Sequence, residues 1–310
     1  MLQSDLPFVI DLQSKTAVVT GAGGVLCSQF ARALAACGAR VALLDLNLAA
    51  AAEIADSIVA DGYQAKAYKA NVLEKESLEE VHRQVLADFG PCDLLINGAG
   101  GNHPRATTGQ EYYDPDNIPA DTVTFFDLDK QGISFVFELN FLGTLLPTQV
   151  FAREMANRPG AAIINISSMN AFTPLTKIPA YSGAKAAISN LTQWLAVHFS
   201  RVNIRVNAIA PGVVVTDVPT PLDAAGKDQR TGRGAEGAGR DRSREPGLAD
   251  EPPHFERIVD RATGRIERHA PDVFAIGFDL GAEPLGRADI DGAGDLEHAA
   301  RAEADAQRLA

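Results

Sequence analysis

The sequence predicts an α/β fold, a doubly wound parallel sheet with helices on both faces. Three observations predict it. Short β-branched runs alternate with longer Ala/Leu-rich stretches, those runs are near-continuously apolar as in strands buried on both sides, and the first of them ends in a glycine cluster that opens a helix. The strands read TAVVT (16–20), RVALLD (40–45), AKAYK (65–69), DLLIN (93–97), AIINIS (162–167) and RVNAIA (205–210). Helical periodicity fills the intervals around 26–37, 48–60, 75–89, 133–156 and 181–199. In such a sheet ligands bind beyond the carboxyl ends of the strands, so the residues that follow each strand are the ones to read for chemistry.

Composition bounds the function. The 310 residues are 46% apolar and 22% charged, which suits a folded chain, and the net charge of −12 repels a phosphate backbone or an anionic membrane. Nucleic acid and membrane are therefore not expected partners. No uninterrupted apolar run approaches the roughly 18 residues that cross a bilayer. Cys27, Cys37 and Cys92 are odd in number and sparse, and the first residues are neither basic nor continuously apolar, so a reducing cytoplasm is expected. Cys27 and Cys37 have no histidine near them, and no metal site is expected.

After the first strand comes Gly21-Ala22-Gly23-Gly24-Val25-Leu26-Cys27. Glycines at a strand-to-helix turn let a dinucleotide's pyrophosphate approach the backbone at the positive end of the helix, although any tight turn of this kind also uses them. The second strand ends at Asp45, where a carboxylate accepts hydrogen bonds from ribose hydroxyls and repels a 2′-phosphate, favouring NAD over NADP. The same residue type also caps helices.

Tyr181 and Lys185 lie four apart on a helical stretch, which stacks both side chains on one face. An ammonium beside a phenol lowers the phenol's pKa, so that it exchanges a proton with a substrate oxygen near neutral pH. Ser168 stands thirteen residues upstream at the end of AIINIS, and Asn140 lies on the preceding helix. A hydroxyl at that end of a strand faces the ligand crevice; it also serves turns and caps.

These features together resemble the short-chain dehydrogenase/reductase family over residues 12–218, with the Rossmann-like fold that this implies. The resemblance implies cofactor contacts from Gly21, Gly23 and Gly24, from Asp45, from Asn71 and Val72 at the adenine, and from Pro211, Gly212 and Thr216 at the nicotinamide, and it counts Asn97, Gly98 and Ala99 among the cofactor residues in a segment, 97–100, that steadies the sheet beside the nucleotide. It further implies a proton relay in which Tyr181 is the acid/base, Lys185 lowers its pKa and holds the nicotinamide ribose, Ser168 orients the substrate oxygen, and Asn140 supports a water chain. Three positions depart from the family pattern: Val25 and Cys27 replace glycines of the turn, and Asn71 stands where an Asp is usual. Longer stretches such as GAGGNHPRATT (98–108) and ISSMNAFTPLTKIPAYSGAKAAISN (166–190) resemble the D-mannonate oxidoreductases of the fructuronate reductase type. That implies a small sugar-acid substrate, with Asn102, His103, Arg105, Met169 and Asn170 as candidate contacts, and by resemblance a homo-oligomer.

The texture changes near residue 218. Residues 219–310 hold 12 Arg against one Lys, with no Tyr, Trp, Cys or Met, and show no sustained apolar period. We expect a poorly ordered tail that lacks the family's last helices and parallel strand, and a frameshift or misjoined end would produce it. Three readings stay open: an NAD-dependent sugar-acid oxidoreductase, a relative acting on another polyol or hydroxy acid, and a nucleotide-binding or oligomerising remnant without catalysis.

Overall fold

Strands β1 (Thr16–Thr20), β2 (Arg40–Asp45), β3 (Gln64–Lys69), β4 (Leu94–Asn97), β5 (Ala162–Ile166) and β6 (Arg205–Pro211) form a parallel sheet in the order β3-β2-β1-β4-β5-β6. The computed structural model describes residues 2–6, 10–212 and the backbone of Val273–Ile276. Between them lie helices α1 (Val25–Ala36), α2 (Leu48–Ala60), α3 (Lys75–Phe89), α4 (Lys130–Phe137), α5 (Gly143–Met155) and α6 (Pro179–His198). Apart from the helical stretch 133–156, the expected elements are present with bounds that agree to within a few residues.

Alternation along the strands builds two cores. Ala17 and Val19 of β1 face one side with Ala31 and Ala35 of α1 and Ala51, Ala55 and Ile58 of α2. Val18 faces the other, with Val81 and Val85 of α3, Phe151 and Met155 of α5, and Leu191 and Leu195 of α6. Burial on both faces is why the strands are apolar throughout. The strand order reverses between β1, paired to β2 through Thr20 and Leu44, and β4, paired to β1 through Thr20 and Asn97. That switch point opens a crevice at the carboxyl edge.

The single helix expected at 133–156 is two α-helices joined by a π-helical turn, Glu138–Leu142. Pro147 one turn later has no N–H to offer Gly143, so the regular ladder is broken there as well. The run Lys130–Met155 is long and apolar enough by composition to span a bilayer. A count of uninterrupted apolar residues misses it because Glu138 and Asn140 intervene, and its Val136, Phe151, Ala152 and Met155 are buried in the protein.

The edge of β6 carries a further strand, β7 (Val273–Ile276), antiparallel, with Pro211 opposite Val273 and Ala208 opposite Ile276. The sequence reading did not foresee it. A free strand edge offers main-chain donors and acceptors to a partner of either direction, and four residues leave almost no periodic signal. The parallel last strand of the resemblance is not among the described residues. Thr216 and the expected disorder of the tail lie outside them.

Candidate active site

The crevice at the switch point is a cleft of about 510 Å³ whose lining includes Gly21, Gly23, Gly24, Asp45, Asn71, Val72, Gly98 and Ala99. Eight residues picked from four separate segments thus meet in one place. Gly21 has φ +67°, and a Cβ there would lie 2.9 Å from the main chain of Ala99, so only glycine lets the first turn close on the β4 loop. Gly24 is the N-cap of α1 and no side chain caps the helix, which leaves the first-turn N–H groups free for an anion. Asp45 Oδ2 accepts from the Gly23 N–H at 2.9 Å and Oδ1 from Asn47 N–H at 2.8 Å. It therefore braces the glycine turn, while the cap of α2 is Asn47, whose side chain accepts from Ala50 N–H. Asn71 bends its own loop by accepting from Leu73 N–H at 3.1 Å.

Asn97 takes the sheet-steadying part of its expected role and not the cofactor-contact part. Its side chain is buried and donates to Thr148 Oγ1 and Asn165 Oδ1, each at 2.9 Å, and Asn165 donates in turn to Thr192. It ties β4 to β5 and α5 and does not line the cleft. A buried amide takes fixed polar partners in preference to a solvated ligand, and here they lie behind the sheet.

At the carboxyl end of β5 four groups converge. The π turn sets Asn140 so that Nδ2 donates to Gly101 O at 2.7 Å and Val136 O at 2.8 Å, while its buried Oδ1 has no partner. Inserted π turns often sit at functional positions because they re-aim one side chain. A Cβ at Gly100 would lie 2.6 Å from Asn140 Oδ1 and 3.3 Å from Lys185 Nζ, so both point at the same strip of backbone. Lys185 is buried, donates to Ile166 O at 2.7 Å, and its amine lies 5.5 Å from the centroid of the Tyr181 ring. Burial pulls its pKa down to about 8. Ser168 is buried and caps a short 3-10 turn, its Oγ accepting from Asn170 N–H at 3.2 Å.

The phenol departs from the expectation. Burial raises the Tyr181 pKa, and a hydrogen bond from Ser168 opposes this without reversing it. The pair shares a helix face as predicted, with the amine 5.5 Å from the ring centroid.

The substrate candidates divide. Asn102 and His103, with Thr107, Thr108 and Asp121, line a second, open cleft of about 680 Å³. His103 Nδ1 accepts from Arg105 N–H at 3.1 Å, and the ring packs edge-on against Phe135, which leaves Nε2–H as the free donor. Arg105 does not line that cleft: its guanidinium pairs with Asp129 at 2.8 Å. Asn170 is buried with an unpartnered Oδ1, and Met169 opens the turn beside it. Pro211 and Gly212 end β6 and do not line the nucleotide-sized cleft. Sequence reading passed over Cys27, Asn47 and Leu139 as cleft residues; only Cys27 carried a signal, as a departure within the turn.

The fold and its crevice define an α/β oxidoreductase acting on CH–OH groups, and comparison with known proteins makes this specific. The model of the short chain dehydrogenases matches residues 15–226. An uncharacterized oxidoreductase of Haemophilus influenzae is 62% identical over 219 residues, 70% of this chain and 76% of its own length. A solved structure from the same organism, provisionally assigned as a D-mannonate oxidoreductase and holding NAD, is 59% identical with a TM-score of 0.68, over 73% of this chain and 79% of that one. An NAD+-bound xylitol dehydrogenase is 30% identical with a TM-score of 0.58, over 66% and 72%. The chain belongs to the short chain dehydrogenase family.

Proposed function

We propose that this protein is an NAD-dependent oxidoreductase that interconverts a sugar acid and its keto form, D-mannonate and D-fructuronate. The observation that carries the reading is the meeting of the glycine turn, Asp45, Asn71 and Gly98 in one cleft, with Tyr181, Ser168, Lys185 and Asn140 at the adjoining strand end. The residues fit a dinucleotide. The uncapped N-terminus of α1 suits its pyrophosphate and Asp45 its adenosine ribose. NAD when bound carries the hydride exchanged with the substrate carbon.

The chain's own groups handle the proton. A raised pKa keeps Tyr181 protonated at neutral pH, so its hydroxyl is a proton donor to a substrate carbonyl oxygen and regains the proton in the reverse direction. Ser168 Oγ accepts from Asn170 N–H, leaving its own O–H to donate to the phenol oxygen or to the substrate. Lys185 spends one donor on Ile166 O and keeps the others for a ligand hydroxyl. Asn140 holds the Gly101 carbonyl and presents an open acceptor beside Gly100. The second cleft carries Asn102, Thr107, Thr108 and the His103 Nε2–H as hydrogen-bonding groups for a substrate of many hydroxyls.

Similarity to the provisionally assigned D-mannonate oxidoreductase supports the sugar acid, and similarity to the xylitol dehydrogenase supports a second reading, a polyol substrate. Turnover of D-fructuronate with NADH, run beside xylitol and other polyols with NAD, decides between them; activity on none of these removes both. Exposed Trp194 and Val197 on α6 support association with further copies. The jump in Arg over Lys after residue 218 supports a misjoined end, which resequencing the transcript across that codon tests.

A further inference from the structure

We infer that Cys27 and Gly98 form a matched pair that sets the width of the cleft, making Cys27 a positioning residue for the dinucleotide. The inference rests on the NAD-binding reading above. Cys27 is the third residue of α1 and stands where the family pattern has a glycine. Its side chain is 4% exposed and faces the loop after β4. A Cβ at Gly98 would lie 2.1 Å from Cys27 Sγ, 3.1 Å from Thr20 O and 3.5 Å from Ile166 Cγ1. The thiol thus fills the volume that any other residue at position 98 requires.

The loop that carries Gly98 is tied in place. The N–H groups of Gly98 and Ala99 both donate to Thr20 Oγ1, at 3.1 and 3.2 Å, which fixes the loop to β1. The Cys27 thiol is itself buried in the core on that side of the sheet, against Ile96 and Ile166 among others. Burial pushes the thiol up to about 12, so it is neutral and acts as a small apolar filler between Lys185 and Asp45. Cys27 and Gly98 line the cleft together with Gly21 and Asp45, so their contact fixes the separation of the two walls between which the dinucleotide lies.

Four variants test this: Gly98→Ala, Cys27→Gly, Cys27→Ala, and Gly98→Ala combined with Cys27→Gly. NADH affinity is read by fluorescence titration, turnover by steady-state kinetics and stability by melting temperature. We expect Gly98→Ala to weaken NADH at least tenfold. Cys27→Ala and Cys27→Gly should raise the KM for NADH severalfold while kcat and the KM for the keto acid change less than twofold. The double variant should recover at least fivefold of the affinity lost by Gly98→Ala and melt higher than the sum of the single effects predicts. Should Gly98→Ala fail to fold, recovery of folding and NADH binding in the double variant carries the same meaning. Additive melting effects, or an unimproved double variant, overturn the pairing. Normal NADH binding by Gly98→Ala, or a Cys27→Ala change confined to kcat, overturns the positioning role. An unmodified protein that binds no NADH overturns the cofactor reading and the positioning role with it, while the melting temperatures still judge the pairing.

Discussion

Lys185 Nζ donates a 2.7 Å hydrogen bond to the main-chain carbonyl of Ile166, the last residue of β5, and does so from a buried position. The cost of that burial appears in its pKa, lowered from 10.5 to about 8. Because the folded value lies below the unfolded one, the protonated amine costs stability at every pH below about 8, and the cost fades as pH rises toward 10.5, where the unfolded chain also loses the proton.

Lys185→Met should therefore raise stability at pH 6–7 by about 2 kcal/mol, after allowing for the lost hydrogen bond, while abolishing turnover. Denaturant titrations of both proteins from pH 6 to 10.5 check it. A difference that does not shrink with rising pH contradicts the assignment of the cost to the buried charge.

Tyr181→Phe keeps the ring and its packing and removes only the hydroxyl. Turnover should fall by about 10² to 10⁴ while NADH affinity stays within about twofold. Steady-state rates paired with NADH titration separate the two, and a variant that retains full turnover removes Tyr181 as proton donor.

Asp45→Ala removes the acceptor that braces Gly23 N–H and a carboxylate that lines the cleft. NADH should bind about tenfold more weakly, equivalent to ~1.4 kcal/mol, and the preference for NADH over NADPH should narrow. The ratio of kcat/KM for the two cofactors measures this. An unchanged ratio shows that discrimination lies elsewhere.

His103 and Arg105 look equivalent in sequence and are not. His103→Ala should raise the substrate KM about tenfold by deleting a fixed donor in the second cleft, whereas Arg105→Ala, already paired with Asp129, should change KM less than about twofold. Substrate saturation curves for both variants decide; a larger effect at Arg105 would falsify the division drawn between them.

The strands and helices were legible because each carries its own local period, and the glycine turn, Asp45 and the Tyr181–Lys185 spacing because each is a local chemical signature. Asn97 was misread as a cofactor contact since its partners Thr148 and Asn165 are 51 and 68 residues away. The π turn at Asn140 was invisible for a different reason: one residue's change of pitch hardly alters an apolar pattern.

The sequence by itself determined the order of the elements, the parallel sheet and the residue types that meet at its carboxyl edge, because propensity and periodicity act over a few residues. Only the tertiary structure decided which way the shared groups turn. It sent Asn97 behind the sheet, tied Arg105 to Asp129, laid the Lys185 amine over the Tyr181 ring and set the Cys27 thiol against Gly98. Hydrogen-bond partners and steric contacts are chosen among groups far apart in the chain, and burial then fixes the charge each group carries.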